Sequence, residues 1–335
     1  EWPRHTADFS VFRVYADANG NPAEYSPSNV PMKPKHSLPI SLKGYKPGDF
    51  TMIVGFPGRT NRYLTSYGIE QMVNKDYPAW VEASKLAMDV MKKYMDKDQA
   101  TKLDYASQYA SVANYWKNRQ GTIDAVNKNG TISDKKALEN KFMTWAVLPE
   151  NEEMYSGVLA NIQANYAQFS NRNVERNYSS QLQRNAKYIA VAYQLGSLLK
   201  TYADQDANGK VAMKTKVTDA IEKLYDGFNP NLEGEMLNSM VNLYQQKVAK
   251  SDASPTLLAA DAKNLSTLAF SSIFATKESA LNFVNNPDRL KIDADPMLKL
   301  ANGFINDQKL SGEKYAKVDE AFAKNSRIFL DGLRK

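Results

Sequence analysis

Two rhythms of apolar and polar residues divide the chain. Up to about residue 60, apolar residues alternate with polar ones or fall in short runs. Phe9-Ser10-Val11-Phe12-Arg13-Val14-Tyr15 puts Phe9, Val11, Arg13 and Tyr15 on one face of a strand. Residues 37–42 and Phe50-Thr51-Met52-Ile53-Val54-Gly55 are two further strand candidates. Asp17-Ala18-Asn19-Gly20-Asn21-Pro22 reads as a turn, because Gly20 takes positive φ without strain. Three strands in so short a stretch cannot close a sheet over much of a core. This stretch therefore needs strands from elsewhere, and the chain is expected to be the middle of a larger protein.

From Thr65 onward the period becomes 3.6. Asp76 with Pro78 predicts a helix start, followed by a stripe of Trp80, Val81, Leu86, Val90, Met91 and Tyr94. Asp98 opens a long helix to about Asn127, which Gly121 is expected to bend. Ser133 or Asp134 is expected to cap a helix stopped by Pro149, and Asn151-Glu152-Glu153 opens the next, its acids meeting the positive end of the dipole. Further helices are expected at 173–204, 210–226, 231–250, 255–274, 277–284, 296–308 and 312–334. No fixed repeat period appears, so a solenoid is not expected. The pattern predicts a mainly α chain, an irregular helical domain at 63–335 joined to part of a β domain at 1–62.

Composition sharpens that boundary. Eight of the 14 prolines, and both histidines, precede Arg59; proline lacks a backbone donor and breaks helices, so strand and loop belong there. A net charge of +6 over 335 residues, with no Lys/Arg block, argues against nucleic acid as a partner. With no cysteine, disulfides, thiol catalysis and Cys-ligated metals are excluded. No apolar run approaches the ~18 residues needed to span a bilayer.

No metal or cofactor motif emerges. His5 and His36 are far apart in sequence and lack ligand spacing. Asp204-Gln205-Asp206-Ala207-Asn208-Gly209 imitates half of a calcium loop, but Thr215 stands where a bidentate Glu is needed, so a helix-ending loop is expected. Gly55-Phe56-Pro57-Gly58-Arg59-Thr60 lacks the Lys and spacing of a phosphate loop. Two features carry chemistry. Asn114-Tyr115-Trp116-Lys117-Asn118 is more polar than core packing requires and is a candidate cleft wall. Asp8, beside Trp2, Arg4 and His5 at the mouth of a strand, is either an exposed cap or the acid of a Ser-His-Asp triad. His5 is too close in sequence to reach across a cleft to it, and no Gly-x-Ser-x-Gly setting is present.

Trp2-Pro3-Arg4-His5-Thr6-Ala7-Asp8-Phe9-Ser10, Phe12-Arg13-Val14-Tyr15-Ala16-Asp17, Gly48-Asp49-Phe50-Thr51-Met52, Gly55-Phe56-Pro57-Gly58-Arg59-Thr60 and Asn114-Tyr115-Trp116-Lys117-Asn118 together resemble the bacterial serine dipeptidyl peptidases of the seven and eleven type. The resemblance runs the length of the chain. It implies a chymotrypsin-type double β-barrel, incomplete in these 335 residues, with a helical lid inserted over the cleft. It makes Asp8 the triad Asp, with the His before Glu1 and the Ser after Lys335, and leaves His5 a neighbour of the triad. It makes Asn114 the lid residue that binds the free α-amino group of a peptide substrate. Ala7 departs from the family's usual Gly, which would cost about 1 kcal/mol at positive φ. The resemblance further implies no cofactor, a periplasmic or cell-surface location and a homodimer. The other expectation left by the residues is a non-enzymatic helical binding or scaffold module.

Overall fold

The computed structural model describes residues 11–52, 54, 55 and 61–335. By internal contacts the chain divides into two units between Thr60 and Asn61.

In the first unit the turn forms as expected. The Asp17 carboxylate accepts from the amides of Asn19 (2.9 Å) and Asn21 (2.8 Å), and Gly20 sits at φ 81°. The strands differ. β1 (Tyr15–Ala16) and β2 (Val30–Pro31) pair antiparallel, Tyr15 opposite Pro31 and Ala16 opposite Val30. Residues 11–14, 37–42 and the described part of 50–55 form no strand. Phe12, Leu38, Ile40, Leu42 and Phe50 are each more than 80% exposed. Alternation creates an apolar face, but with nothing to cover it the face has no reason to hold one register.

The second unit is helical throughout. Thr65 caps α1 (Ser66–Gln71), its hydroxyl accepting from the Gly68 amide. A π-helical turn, Met72–Asp76, carries the chain without a break into α2 (Tyr77–Met95). Asp76 therefore caps nothing, contrary to expectation; it lies inside the helical path and accepts from Gln71 Nε2 at 2.7 Å. Asp98 does cap α3 (Gln99–Asn129), holding the Thr101 amide at 2.8 Å. The helix runs through Gly121, since one helical Gly costs only about 1 kcal/mol against Ala. α4 (Thr131–Ala146) starts before Ser133, at Gly130, whose φ of 66° suits a residue without Cβ.

After the short α5 (Glu152–Tyr155), the expected 173–204 helix is two: α6 (Val158–Asn185) and α7 (Lys187–Ala203), broken at Ala186. α8 (Ala207–Leu224) and α9 (Pro230–Lys247) follow. The 255–274 stretch splits into α10 (Pro255–Ala259) and α11 (Leu265–Phe270). α12 (Lys277–Asn285) and an unexpected α13 (Arg289–Ala294) lead to α14 (Pro296–Gly332), 37 residues unbroken at Gly312.

The main core gathers Met91, Tyr105, Tyr188, Leu195, Leu237 and Phe304 among many others. A second cluster joins Phe142, Tyr155, Ile162 and Phe329. α14 serves both. Where it crosses α7, a Cβ at Gly196 would collide with Leu298, so glycine sets how closely the two helices approach.

Candidate substrate-binding site

α3 is the element that matters most, because it carries Asn114. Its first half is pinned. Tyr105, fully buried, donates to Glu233 Oε1 at 2.7 Å, and its hydroxyl accepts from the Asn229 amide at 3.1 Å. Asn229 in turn donates to Thr101 Oγ1 at 3.0 Å. The other oxygen of Glu233 accepts from the Lys187 amide at 2.9 Å, at the start of α7. Burial pushes the Glu233 carboxyl up, and the nearby Lys187 ammonium, 3.7 Å from Oε1, pulls it back. One carboxylate thus fixes the root of α3 to α7 and α9.

Beyond the root, α3 packs back along α2 and over the π-helical turn. Tyr105, Tyr109, Val112 and Trp116 follow the i, i+4, i+7, i+11 spacing that faces α2. Asn114 lies on the opposite side: Trp116 is two positions on, which is 200° of helical rotation. Its side chain is exposed and makes no hydrogen bond among the described residues. Asn118, one turn on, is exposed on the same face. The motif therefore separates: its Asn residues look outward, while Trp116 turns toward α2, half-buried.

Tyr115 lies between these faces. Its ring lies 5.6 Å from the Arg119 guanidinium and 5.2 Å from that of Arg184, at the end of α6. Arg119 also stacks on Trp80 at 3.8 Å. The sequence pointed to Tyr115 as cleft and to Trp80 only as core. Arg119 stands one turn on along α3, but Trp80 and Arg184 come from α2 and α6, which no spacing along α3 reveals.

The other expectations can be placed as well. Asp206 caps α8, accepting from the Gly209 amide at 2.7 Å, and Asp204 pairs with Arg289; the calcium-like stretch is a helix junction. No group of three His, Asp or Glu residues suited to a metal occurs among the described residues. No described helix is long and apolar enough to cross a membrane. Asp8 and His5 lie outside the described residues.

The Peptidase S46 family model matches residues 1–335. A dipeptidyl-peptidase 7 from Capnocytophaga gingivalis is 39% identical over all of this chain and 47% of its own length. An Asp/Glu-specific dipeptidyl-peptidase from Flavobacterium psychrophilum is 34% identical, over 89% of this chain and 41% of its own. The crystal structure of Porphyromonas endodontalis DPP11 in complex with the dipeptide Arg-Glu matches with a TM-score of 0.85 at 26% identity, covering 99% of this chain and 48% of that one. The chain thus spans about half the length of the relatives it matches. With the family model matching from Glu1 to Lys335 and the helical architecture shared with a solved relative, the chain belongs to the Peptidase S46 family.

Proposed function

We propose that these residues are the central part of a serine exopeptidase that releases dipeptides from the free N-terminus of oligopeptides. In this assignment 1–62 belongs to a chymotrypsin-like β-barrel and 63–335 is the lid over its cleft. Asp8 is the triad acid, holding the histidine's tautomer and stabilising its imidazolium. The His and Ser come from outside the 335 residues, so this stretch by itself has no turnover. Periplasmic or cell-surface location and dimerisation follow the same assignment.

The observation that carries the proposal is Asn114: an exposed side-chain amide with no partner among the described residues, on a helix fixed at its root. An ammonium group binds such a carbonyl well, and a hydrogen bond to a charged group is worth about 1.5–3 kcal/mol. A lid that offers this contact, and closes the cleft beyond it, favours peptides with a free amine over blocked ones. The exposed apolar residues of 11–52 support the barrel, since Phe12, Leu38, Ile40 and Leu42 would pack against strands contributed from outside.

In the full-length enzyme, Asp8→Ala is expected to lower kcat by about 10⁴. Near-normal kcat would refute the triad assignment. Asn114→Ala is expected to lower kcat/KM for free-amine substrates roughly 10- to 100-fold; an unchanged value would refute the amine contact.

A further inference from the structure

Half-buried Arg119 and exposed Arg184 differ from buried Arg172 in what their terminal nitrogens meet. Arg172 reaches Asp319 with both terminal nitrogens, at 2.7 and 2.8 Å. Arg119 and Arg184 have no carboxylate or hydrogen-bond acceptor among the described residues, yet both crowd the same two rings. Trp80 lies 3.8 Å from Arg119 and 5.6 Å from Arg184, Tyr115 is shared as well, and Arg119 also lies 5.4 Å from the ring of Tyr77. Arg184 stands in the last turn of α6, where the helix dipole favours a cation. Arg119 sits in the body of α3 and gains nothing of that kind. Its Nε is buried without an acceptor, as are Nε1 of Trp80 and of Trp116, one turn earlier on α3. Burial lowers the affinity of Arg119 for its proton; Tyr77 offsets part of this, and the neighbouring Arg184 lowers it further.

The region is thus rich in donors and positive charge and poor in acceptors. Aromatic faces hold guanidinium groups flat and leave their edges free. A flat guanidinium edge is matched by a planar oxyanion that takes two parallel N–H bonds. Arg184 is exposed and Tyr115 is 44% exposed, so a ligand can reach the pair from solvent.

We infer that Arg119 and Arg184, held on Trp80 and Tyr115, form a binding site for a carboxylate of an acidic peptide, separate from the Asn114 amide. Only the ligand class, a peptide, rests on the proposed peptidase function. The site engages side-chain carboxylates and needs no free amine. Trp80 lies against Arg119 and reports on it.

The test is a titration of the 335-residue chain, followed by tryptophan fluorescence, with a hexapeptide blocked by N-acetylation and C-amidation. Its three Glu residues are replaced by Gln in a matched control. Blocking the amine keeps Asn114 out of the measurement, so this inference can fail while the amine contact stands, and the reverse. The Glu peptide is expected to bind at least tenfold more tightly than the Gln peptide. That preference is expected to vanish in Arg119→Gln/Arg184→Gln and to fall in the exposed single variant Arg184→Gln. The single variant serves if the double one fails to fold. Equal binding of the two peptides by the unaltered chain would overturn the inference. So would a preference that survives Arg184→Gln and the double variant intact. Inorganic phosphate that displaces the Glu peptide at equal concentration would also overturn it, by showing a general anion site.

Discussion

The two halves of α3 are built differently. The inner half, from Asp98 to about Tyr109, is tied by a cap, by buried Tyr105 and by the Glu233 carboxylate that reaches α7 and α9. The outer half rests on α2 and the π-helical turn, and presents Asn114 and Asn118 outward and the Arg119 stack at its edge. The inner half turns Thr101 and Tyr105 to partners on other elements. The outer half, apart from bonds along the helix itself such as Gln120 to Asp124, leaves Asn114 and Arg119 without acceptors or donors among the described residues. The difference teaches where stability and recognition can be altered separately: changes at the root should unfold the helix, and changes farther out should alter binding with little effect on folding.

Removing the root is the severest test. Glu233→Ala leaves the Tyr105 hydroxyl and the Lys187 amide without an acceptor in a buried site, at an expected cost of about 3 kcal/mol. Urea unfolding of the isolated chain measures it, and an unchanged midpoint would break the comparison.

The support under the outer half comes next, and it depends on pH. Burial raises the Asp76 carboxyl to about 6, against partial relief from Gln71 and Lys75. The folded chain therefore holds this proton more tightly than the unfolded one. Its contribution is fully present below pH 4, is lost as the pH rises towards 6, and stays absent above that. The loss should be roughly 3 kcal/mol. Asp76→Asn keeps an acceptor for Gln71 and removes the charge, so it should flatten this part of the profile and raise stability at pH 7. Denaturant midpoints of the two proteins from pH 4 to 8 decide it; parallel profiles would discount Asp76.

Asp98→Ala should cost about 1 kcal/mol, since it removes the acceptor for the Thr101 amide and hydroxyl. The smallest effect is expected at Asn118→Ala, within about 0.5 kcal/mol, because the side chain is exposed. A loss there as large as that at Asp98 would mean that the outer half is not free after all.

How much of this was legible beforehand follows the range of the interactions. The cap at Asp98, the turn at Asp17 and the outward Asn114 depend on neighbours a few residues away, and the sequence shows them. Asp76 beside Pro78 has the marks of a helix start, yet the chain is already helical when it arrives, and its carboxylate accepts from Gln71 instead of capping. Gly121 and Gly312 look like interruptions, but a local cost near 1 kcal/mol is small beside the packing that long helices secure. The strand pattern of 11–15 misleads for the converse reason, since a strand needs a partner and among the described residues Tyr15 and Ala16 find one only in Val30 and Pro31. The Arg119 stack joins α2, α3 and the end of α6, and no spacing rule brings those together.

α14 bears on how the chain comes into being. At about 1.5 Å per residue its 37 residues reach some 55 Å. Leu298 and Phe304 near one end complete the main core, and Phe329 near the other closes the smaller cluster around Phe142 and Ile162. During synthesis, Phe142, Tyr155 and Ile162 are translated long before Phe329. Until it arrives they have an aromatic-lined gap where that ring belongs, open to wrong partners. The last long helix is therefore a latch set late, and both clusters should gain protection from hydrogen exchange together when it docks.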